Sequence, residues 1–102
     1  MIDLAALEGF DWDDGNKDKN WKLHKVAWTE AEEAFLNEPL LLLPDPKHSQ
    51  IENRIALLGR TLADRRLSII FTTRHNRIRV ISARDMSRKE RRLYDQAIKE
   101  NP

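Results

Sequence analysis

The chain of 102 residues has no cysteine, only three glycines and no long apolar run. Without cysteine it has no disulfide framework, thiolate nucleophile or cysteine-ligated zinc, and a reducing intracellular setting is expected. The longest purely apolar run, Leu40 to Leu43, is far shorter than the roughly 20 residues of a membrane span. The N-terminus lacks the pattern of a secretory signal, so we expect a cytoplasmic protein.

Other absences narrow the class of function. The three glycines are too scattered for a glycine-rich phosphate loop, and histidines 24, 48 and 75 lack the spacing of zinc ligands. Three aspartates between positions 11 and 14 are possible magnesium ligands, but Trp12 among them fits a strand with outward-facing acids better. A chain of this length predicts one domain, residues 1–102, without an enclosed cofactor cavity. We therefore expect neither metal nor cofactor.

Charge is distributed unevenly although the net charge is only +1. Residues 1–46 hold 11 acidic and 4 basic side chains, whereas residues 47–102 hold 14 basic and 6 acidic ones. Eleven of those 14 bases are arginine, whose planar fork matches phosphate and carboxylate oxygens two at a time. Two interpretations stay open: the basic half binds a polyanion, or the two halves neutralise each other on the folded surface.

The first half of the chain predicts one short strand and two helices. Residues 10–13 alternate apolar and acidic side chains, which is typical of a short strand or an extended entry segment, and a turn is expected at residues 14–16. A short helix is predicted over residues 17–24. Thr29 and Glu32 have the spacing of a capping box and begin a second helix, which ends near residue 37 because proline follows.

The second half predicts four strands and a last helix. The strands are expected at about residues 40–43, 51–61, 67–73 and 77–83. The first of them is expected to be buried on both faces and to be followed by a loop at 45–49. Short connections imply antiparallel neighbours. Ser87 and Glu90 form a capping box that opens the last helix. The order β-α-α-β-β-β-β-α is that of an α+β domain with two N-terminal helices and a C-terminal one.

The start of the last helix carries the positive residues Arg88, Lys89, Arg91 and Arg92. The helix macrodipole already presents positive charge there, so a compensating anion is expected. Acids of the first half and phosphate groups are the two candidates.

Four further arginines lie on or near the predicted strands. Arg77 and Arg79 share one face of the last strand by alternation, Arg84 follows its end, and Arg60 ends another strand. Single arginines at strand ends are usually solvated, whereas several that converge make a phosphate site credible.

Cleavage of a phosphodiester without metal needs a base for the 2′-hydroxyl, an acid for the leaving oxygen and cations around the phosphate. Because histidine is the side chain that ordinarily exchanges protons near neutral pH, His24 is the natural proton carrier, with a structural role as its alternative. Tyr94 can stack on a base or hold a phosphate, or it can be a residue of the core edge.

Several segments match one family in order and spacing over about residues 10–95. They are Phe10-Asp11-Trp12-Asp13, Asn20, His24-Lys25-Val26, Glu30-Ala31-Glu32-Glu33-Ala34-Phe35, Asp45-Pro46-Lys47-His48-Ser49, Leu58-Gly59-Arg60, Arg79-Val80-Ile81-Ser82-Ala83-Arg84 and Arg88-Lys89-Glu90-Arg91-Arg92. Together they resemble the BrnT toxins of type II toxin–antitoxin systems, which have a RelE-like ribonuclease fold.

The resemblance implies a metal-independent RNA endonuclease that inhibits translation until a BrnA-type antitoxin binds it. It also implies that the toxin–antitoxin complex represses its own operon through the antitoxin. His24 matches the family's Lys-His-Gly-Val segment, and Arg84 matches the arginine that ends its Ile-Ser-Ala-Arg strand. The chain departs from that pattern at Leu23 and Lys25, where the family usually has Lys and Gly.

We therefore expect an RNA-cleaving toxin with His24, Arg60 and Arg84 as catalytic residues. The expected RNA-binding residues are Lys22, Lys25, Arg74, Arg77, Arg79, Arg92 and Tyr94. The alternative is a catalytically weak or inactive basic module that binds nucleic acid or an acidic partner protein, and a purely structural interaction domain is a third reading.

Pairs such as Ile69 with Ile70 place apolar side chains on both faces of the sheet, so a partner chain is expected, either the antitoxin or a second copy.

Overall fold

A computed structural model describes residues 4–44 and 53–100. It contains three α-helices and four strands, preceded by a short 3-10 turn at Leu4–Ala6. In chain order they are α1 (Asp14–His24), α2 (Trp28–Leu36), β1 (Leu41–Pro44), β2 (Ile55–Arg60), β3 (Arg66–Arg74), β4 (Arg77–Asp85) and α3 (Arg88–Glu100). The α+β class and the antiparallel sheet predicted from the sequence are confirmed.

The four strands form one sheet in the order β1-β2-β3-β4, with every pair antiparallel. Leu58 lies opposite Ser68, which in turn lies opposite Arg84, so these three side chains share a face. A bulge next to Ile70 and Phe71 shifts the register between β3 and β4. Because a bulge adds one residue to one strand, it moves every later side chain of β4 to the other face.

One face of the sheet, called here the core face, packs against α1 and α2. Its buried strand residues include Leu57, Ile69 and Val80. Phe35 of α2 contacts Phe71 edge to face, with 5.0 Å between ring centroids. Such apolar and aromatic contacts supply most of the energy that holds the helices to the sheet.

The opposite face, called here the groove face, is only partly covered. Leu58, Met86 and Tyr94 form a second buried cluster where α3 crosses one end of this face. The Tyr94 hydroxyl donates to the Pro39 carbonyl at 2.5 Å. The four residues of β1 are half-buried or exposed, with Leu42 against the core-face cluster and Leu43 against the α3 cluster, so the predicted two-sided burial is only partial.

Helix α1 closes the outer edge of β4 through side-chain hydrogen bonds. Asn16 donates from Nδ2 to the Val80 carbonyl at 3.3 Å, and Asn20 Oδ1 accepts the Ala83 N–H at 3.0 Å. Both asparagines are buried. These contacts satisfy backbone groups that an edge strand otherwise leaves unpaired.

The segment at 10–13 is an extended entry rather than a full strand: Phe10 forms a bridge with Ile78, and the Asp11 N–H donates to the Ile78 carbonyl at 2.7 Å. Two sequence predictions that follow it need correction. Residues 14–16 are the first turn of α1 rather than a separate turn, because Asp13 accepts the Asn16 N–H and caps the helix. Helix α2 begins at Trp28, and Glu30 rather than Glu32 closes its first turn by accepting the Ala27 N–H at 3.1 Å.

The predicted Ser87–Glu90 capping box is confirmed, since each residue's backbone N–H donates to the other's side chain, at 2.9 and 3.2 Å. The predicted loop at 45–49 and the first residues of the predicted 51–61 strand lie outside the described residues. Within the part of the chain that the structure describes, no helix is long and apolar enough to span a membrane.

Candidate nucleic-acid groove

An open groove of about 570 Å³ lies on the groove face between β1 and the edge closed by α1. Its floor consists of small and apolar side chains from three strands, including Ala56, Ile70 and Ser82. Of the residues that the structure describes, the cations lining it are Lys19, Arg54 and Arg84, and the carboxylate is that of Glu90. A concave surface with an excess of positive charge concentrates anions from solution.

Arg84 is held in this groove by Glu90. Its Nη1 donates to Glu90 Oε1 at 2.7 Å and its Nη2 to Oε2 at 3.1 Å. Ser68 donates to the same carboxylate at 3.0 Å. Burial alone would raise the pKa of Glu90, but the hydrogen bonds from Arg84, the Ser87 backbone and Ser68 hold that pKa at about 2. Glu90 is therefore ionised at neutral pH and keeps the Arg84 guanidinium aimed along the sheet.

His24 lies at the same end of β4 but does not line the groove. It is the last residue of α1 and is half-buried. The pKa of Asp85 is lowered first by hydrogen bonds from Arg65, and the nearby charges of Arg91 and His24 add to this effect. Arg65 donates both to the His24 carbonyl and to the Asp85 carboxylate, so the end of α1 lies next to the end of β4.

Arg60, which the sequence grouped with the arginines of the last strand, belongs to another strand of the sheet. It ends β2, and β3 separates it from Arg84. Its guanidinium is 3.6 Å from Asp64, whose other oxygen is 3.4 Å from Arg66. Arg60 is not among the described residues that line the groove around Arg84, which lies two strands away.

Arg77 and Arg79 share the groove face, as alternation predicted, and the bulge in β4 brings Arg84 to this face as well. Arg74 lies opposite Arg77 at the hairpin that joins β3 to β4. Arg79 donates to Asp13 at 2.8 Å and lies 3.6 Å from Asp11. Positive charge therefore continues along the groove face towards the hairpin, although acids of the first half neutralise part of it.

The remaining predicted RNA-binding residues divide into exposed cations and one core residue. Lys22, Lys25 and Arg92 are exposed. Lys25 lies over the Trp21 ring, 5.3 Å from its centroid. Tyr94 needs correction: only 1% of it is exposed, so its ring is not accessible for stacking in this conformation.

The cations at the start of α3 have no close acidic partner in the described part of the chain. Glu90, the carboxylate in the same turn of the helix, pairs with Arg84 instead. Among residues 4–44 and 53–100, no acidic group lies within 4 Å of Arg88, Lys89, Arg91 or Arg92, and all four are exposed. The uneven charge distribution of the sequence therefore leads to a mixed arrangement: some arginines pair with acids, whereas the four cations at the start of α3 face solvent.

Sequence reasoning did not single out Lys19, Arg54, Ser68 or Arg65 as site residues. Lys19 donates to the Ile81 carbonyl at 3.0 Å and lines the groove. No local motif marks such residues, because strand pairing alone brings them together. The aspartates at 11 and 13 face Arg79, and no cluster suited to a metal ion occurs in the described ranges.

Fold and groove together define a small α+β protein with a cationic, solvent-open surface of the kind that binds a phosphate backbone. A family model described as "Ribonuclease toxin, BrnT, of type II toxin-antitoxin system" matches residues 12–90, more than three quarters of the chain. The chain belongs to this BrnT family of ribonuclease toxins, which implies an antitoxin partner. A search of curated proteins gives no match.

Proposed function

We propose that this toxin is a metal-independent RNA endonuclease whose substrate strand lies along the groove face. The observation that carries the proposal is the cationic groove around Arg84 in a chain that belongs to a ribonuclease toxin family. Arg77 and Arg84 are seven residues apart on one strand, which corresponds to roughly 20 Å or several nucleotides of backbone. An RNA strand bound parallel to β4 would therefore meet a cation at each end.

The chemistry proposed is attack of the RNA 2′-hydroxyl on its adjacent phosphorus. The new bond between the 2′-oxygen and phosphorus forms as the bond to the 5′-oxygen breaks, which leaves a cyclic phosphate and a free 5′-hydroxyl. His24 removes the 2′-hydroxyl proton or delivers a proton to the leaving oxygen. Arg84 stays protonated and stabilises the extra negative charge on the crowded phosphate.

Two predicted roles are revised on the geometry. Arg60 and Tyr94 are left out of the catalytic and stacking sets, because Arg60 pairs with Asp64 beyond β3 and Tyr94 is buried. Arg54 and Lys19 join the residues proposed to hold the RNA backbone, since both line the groove. The exposed lysines Lys22 and Lys25 remain proposed backbone contacts.

The partner proposed is a BrnA-type antitoxin that neutralises the ribonuclease in the cytoplasm and so restores translation. A second toxin copy within such a complex is also proposed, because Ile70 and Ile81 leave apolar surface in the open groove. Both proposals follow from the family and from uncovered surface, and co-purification with mass measurement tests them.

A second candidate function has one observation in its favour. In this structure Glu90 already occupies both outer nitrogens of Arg84. If that pair persists with RNA present, the groove binds RNA or an acidic partner without cleaving it. Such a module retains RNA binding that weakens steeply with salt.

Cleavage of labelled RNA by His24→Ala and Arg84→Ala, compared with wild type, tests the leading proposal. His75→Ala is the matched control, since His75 lies in the hairpin between β3 and β4, at the opposite end of β4. We expect loss of cleavage in the first two variants and full activity in the control. Intact RNA with folded wild-type protein and salt-sensitive binding would instead support the binding module.

A further inference from the structure

Arg65, in the turn between β2 and β3, connects the end of α1 to the end of β4. Its Nε donates to Asp85 Oδ1 at 2.7 Å and its Nη2 to Oδ2 at 3.1 Å. The same guanidinium donates to the Lys25 carbonyl at 2.8 Å and to the His24 carbonyl at 3.3 Å. Glu30 of α2 accepts from Nη1 at 3.1 Å. One side chain thus holds three elements together.

The end of α1 depends on a partner of this kind. The last carbonyl groups of a helix receive no hydrogen bond from N–H groups of the helix itself, so they need donors from elsewhere. A cation at this end also interacts favourably with the negative end of the helix macrodipole. Lys25 adopts the left-handed conformation, with φ 55° and ψ 36°, which is sterically unfavourable for a residue other than glycine. The bonds from Arg65 to both carbonyls therefore stabilise a chain reversal that local sequence disfavours.

The backbone that carries the His24 ring is held by the same contacts. Its carbonyl accepts from Arg65, and Arg65 in turn is held by the two-pronged pair with Asp85. Among the described residues, no hydrogen bond from another side chain holds the His24 imidazole. Arg65 is thus the side chain that anchors the backbone from which the imidazole projects.

We propose that Arg65 is the positioning residue of His24. It makes no contact with the groove and binds no RNA; it places the imidazole at the end of β4, beside the phosphate held by Arg84. This role rests on the proposed function, in which His24 carries the proton. Lysine cannot replace arginine here, because an ammonium group lacks the planar fork that reaches Asp85 and two carbonyls together.

The first test is kinetic and uses Arg65→Lys with Arg66→Lys as its control. Arg66 is the next residue and also pairs with two acids, Asp64 and Asp95, whereas no side-chain hydrogen bond or ion pair joins it to α1 or Asp85 among the described residues. Since small displacements of a catalytic group reduce rates by about 100-fold, we expect Arg65→Lys to lower kcat roughly 10- to 100-fold. KM should stay within about twofold, and the control should retain wild-type kcat. An unchanged kcat in folded Arg65→Lys overturns the proposal.

A double-mutant comparison separates positioning from general structural support. If Arg65 acts through His24, adding Arg65→Lys to His24→Ala lowers the residual rate no further. A multiplicative loss in the double variant means that Arg65 acts elsewhere and contradicts the proposal.

A second measurement does not depend on ribonuclease activity. The imidazole signals of His24 in NMR spectra of the free toxin should move in Arg65→Lys and also in Asp85→Asn, which removes the other half of the pair. Those of His75 should not move in either variant. Unchanged His24 signals in both folded variants refute the positioning role, whereas moved signals without RNA cleavage by wild type refute the proposed function alone.

Discussion

Replacement of Glu90 by glutamine is expected to destabilise the protein in a pH-dependent manner. The pKa of Glu90 lies at about 2 in the folded protein, against its ordinary value of 4.5. This difference corresponds to about 3 kcal/mol of stability at neutral pH, and about 2 kcal/mol remains after allowance for solvent screening. Because the folded pKa is the lower one, the contribution is complete above about pH 5 and is lost as the pH falls towards 2.

The measurement is urea unfolding of wild type and Glu90→Gln at pH 7 and at pH 3. We expect the variant to be about 2 kcal/mol less stable at pH 7 and less than half of that at pH 3. Glu100→Gln is the control, because Glu100 is exposed and bonds only to Gln96 among the described residues; it should change stability by less than about 0.5 kcal/mol. An equal loss from Glu90→Gln at both pH values would refute the reasoning.

Three further substitutions test the packing, each by denaturant unfolding. Gly59→Ala should lose about 1–3 kcal/mol, because the new methyl group meets the Ala34 carbonyl oxygen at 2.9 Å; unchanged stability would mean that α2 and β2 adjust freely. Asn20→Ala should lose about 2–3 kcal/mol, since the Ala83 N–H is left buried without its acceptor; a loss below about 0.5 kcal/mol contradicts this. Tyr94→Phe should lose about 1 kcal/mol with its hydroxyl bond, and a more stable variant would show that this bond is unfavourable.

Local signals predicted most of the helices and strands. The Ser87 and Glu90 spacing located the start of α3, and the strands predicted at 67–73 and 77–83 agree with β3 and β4 within one or two residues. The start of α2 was wrong because two glutamates have capping spacing and tertiary contacts decide between them. Glu30 is fixed by Arg65, whereas Glu32 accepts the Trp12 indole N–H at 2.8 Å.

The sequence could group the candidate site residues only where they lie on the same strand. Arg84 was expected just past the end of the last strand, but it lies within β4, and the bulge turns it to the face of Arg77. Strict alternation would place those two on opposite faces, since seven residues separate them. The separation of Arg60 and the role of Arg65 depend on strand order and on contacts across the chain, which no local pattern encodes.

The most direct test of the central claim is the chemistry of the RNA ends. Purified toxin, freed of any antitoxin, is incubated with RNA in EDTA, and the product termini are identified by mass spectrometry. The proposed mechanism predicts fragments that end in 2′,3′-cyclic phosphate and begin with 5′-hydroxyl, and no cleavage where the 2′-hydroxyl is replaced by hydrogen. Cleavage that requires added metal, or that proceeds at 2′-deoxy positions, would contradict it.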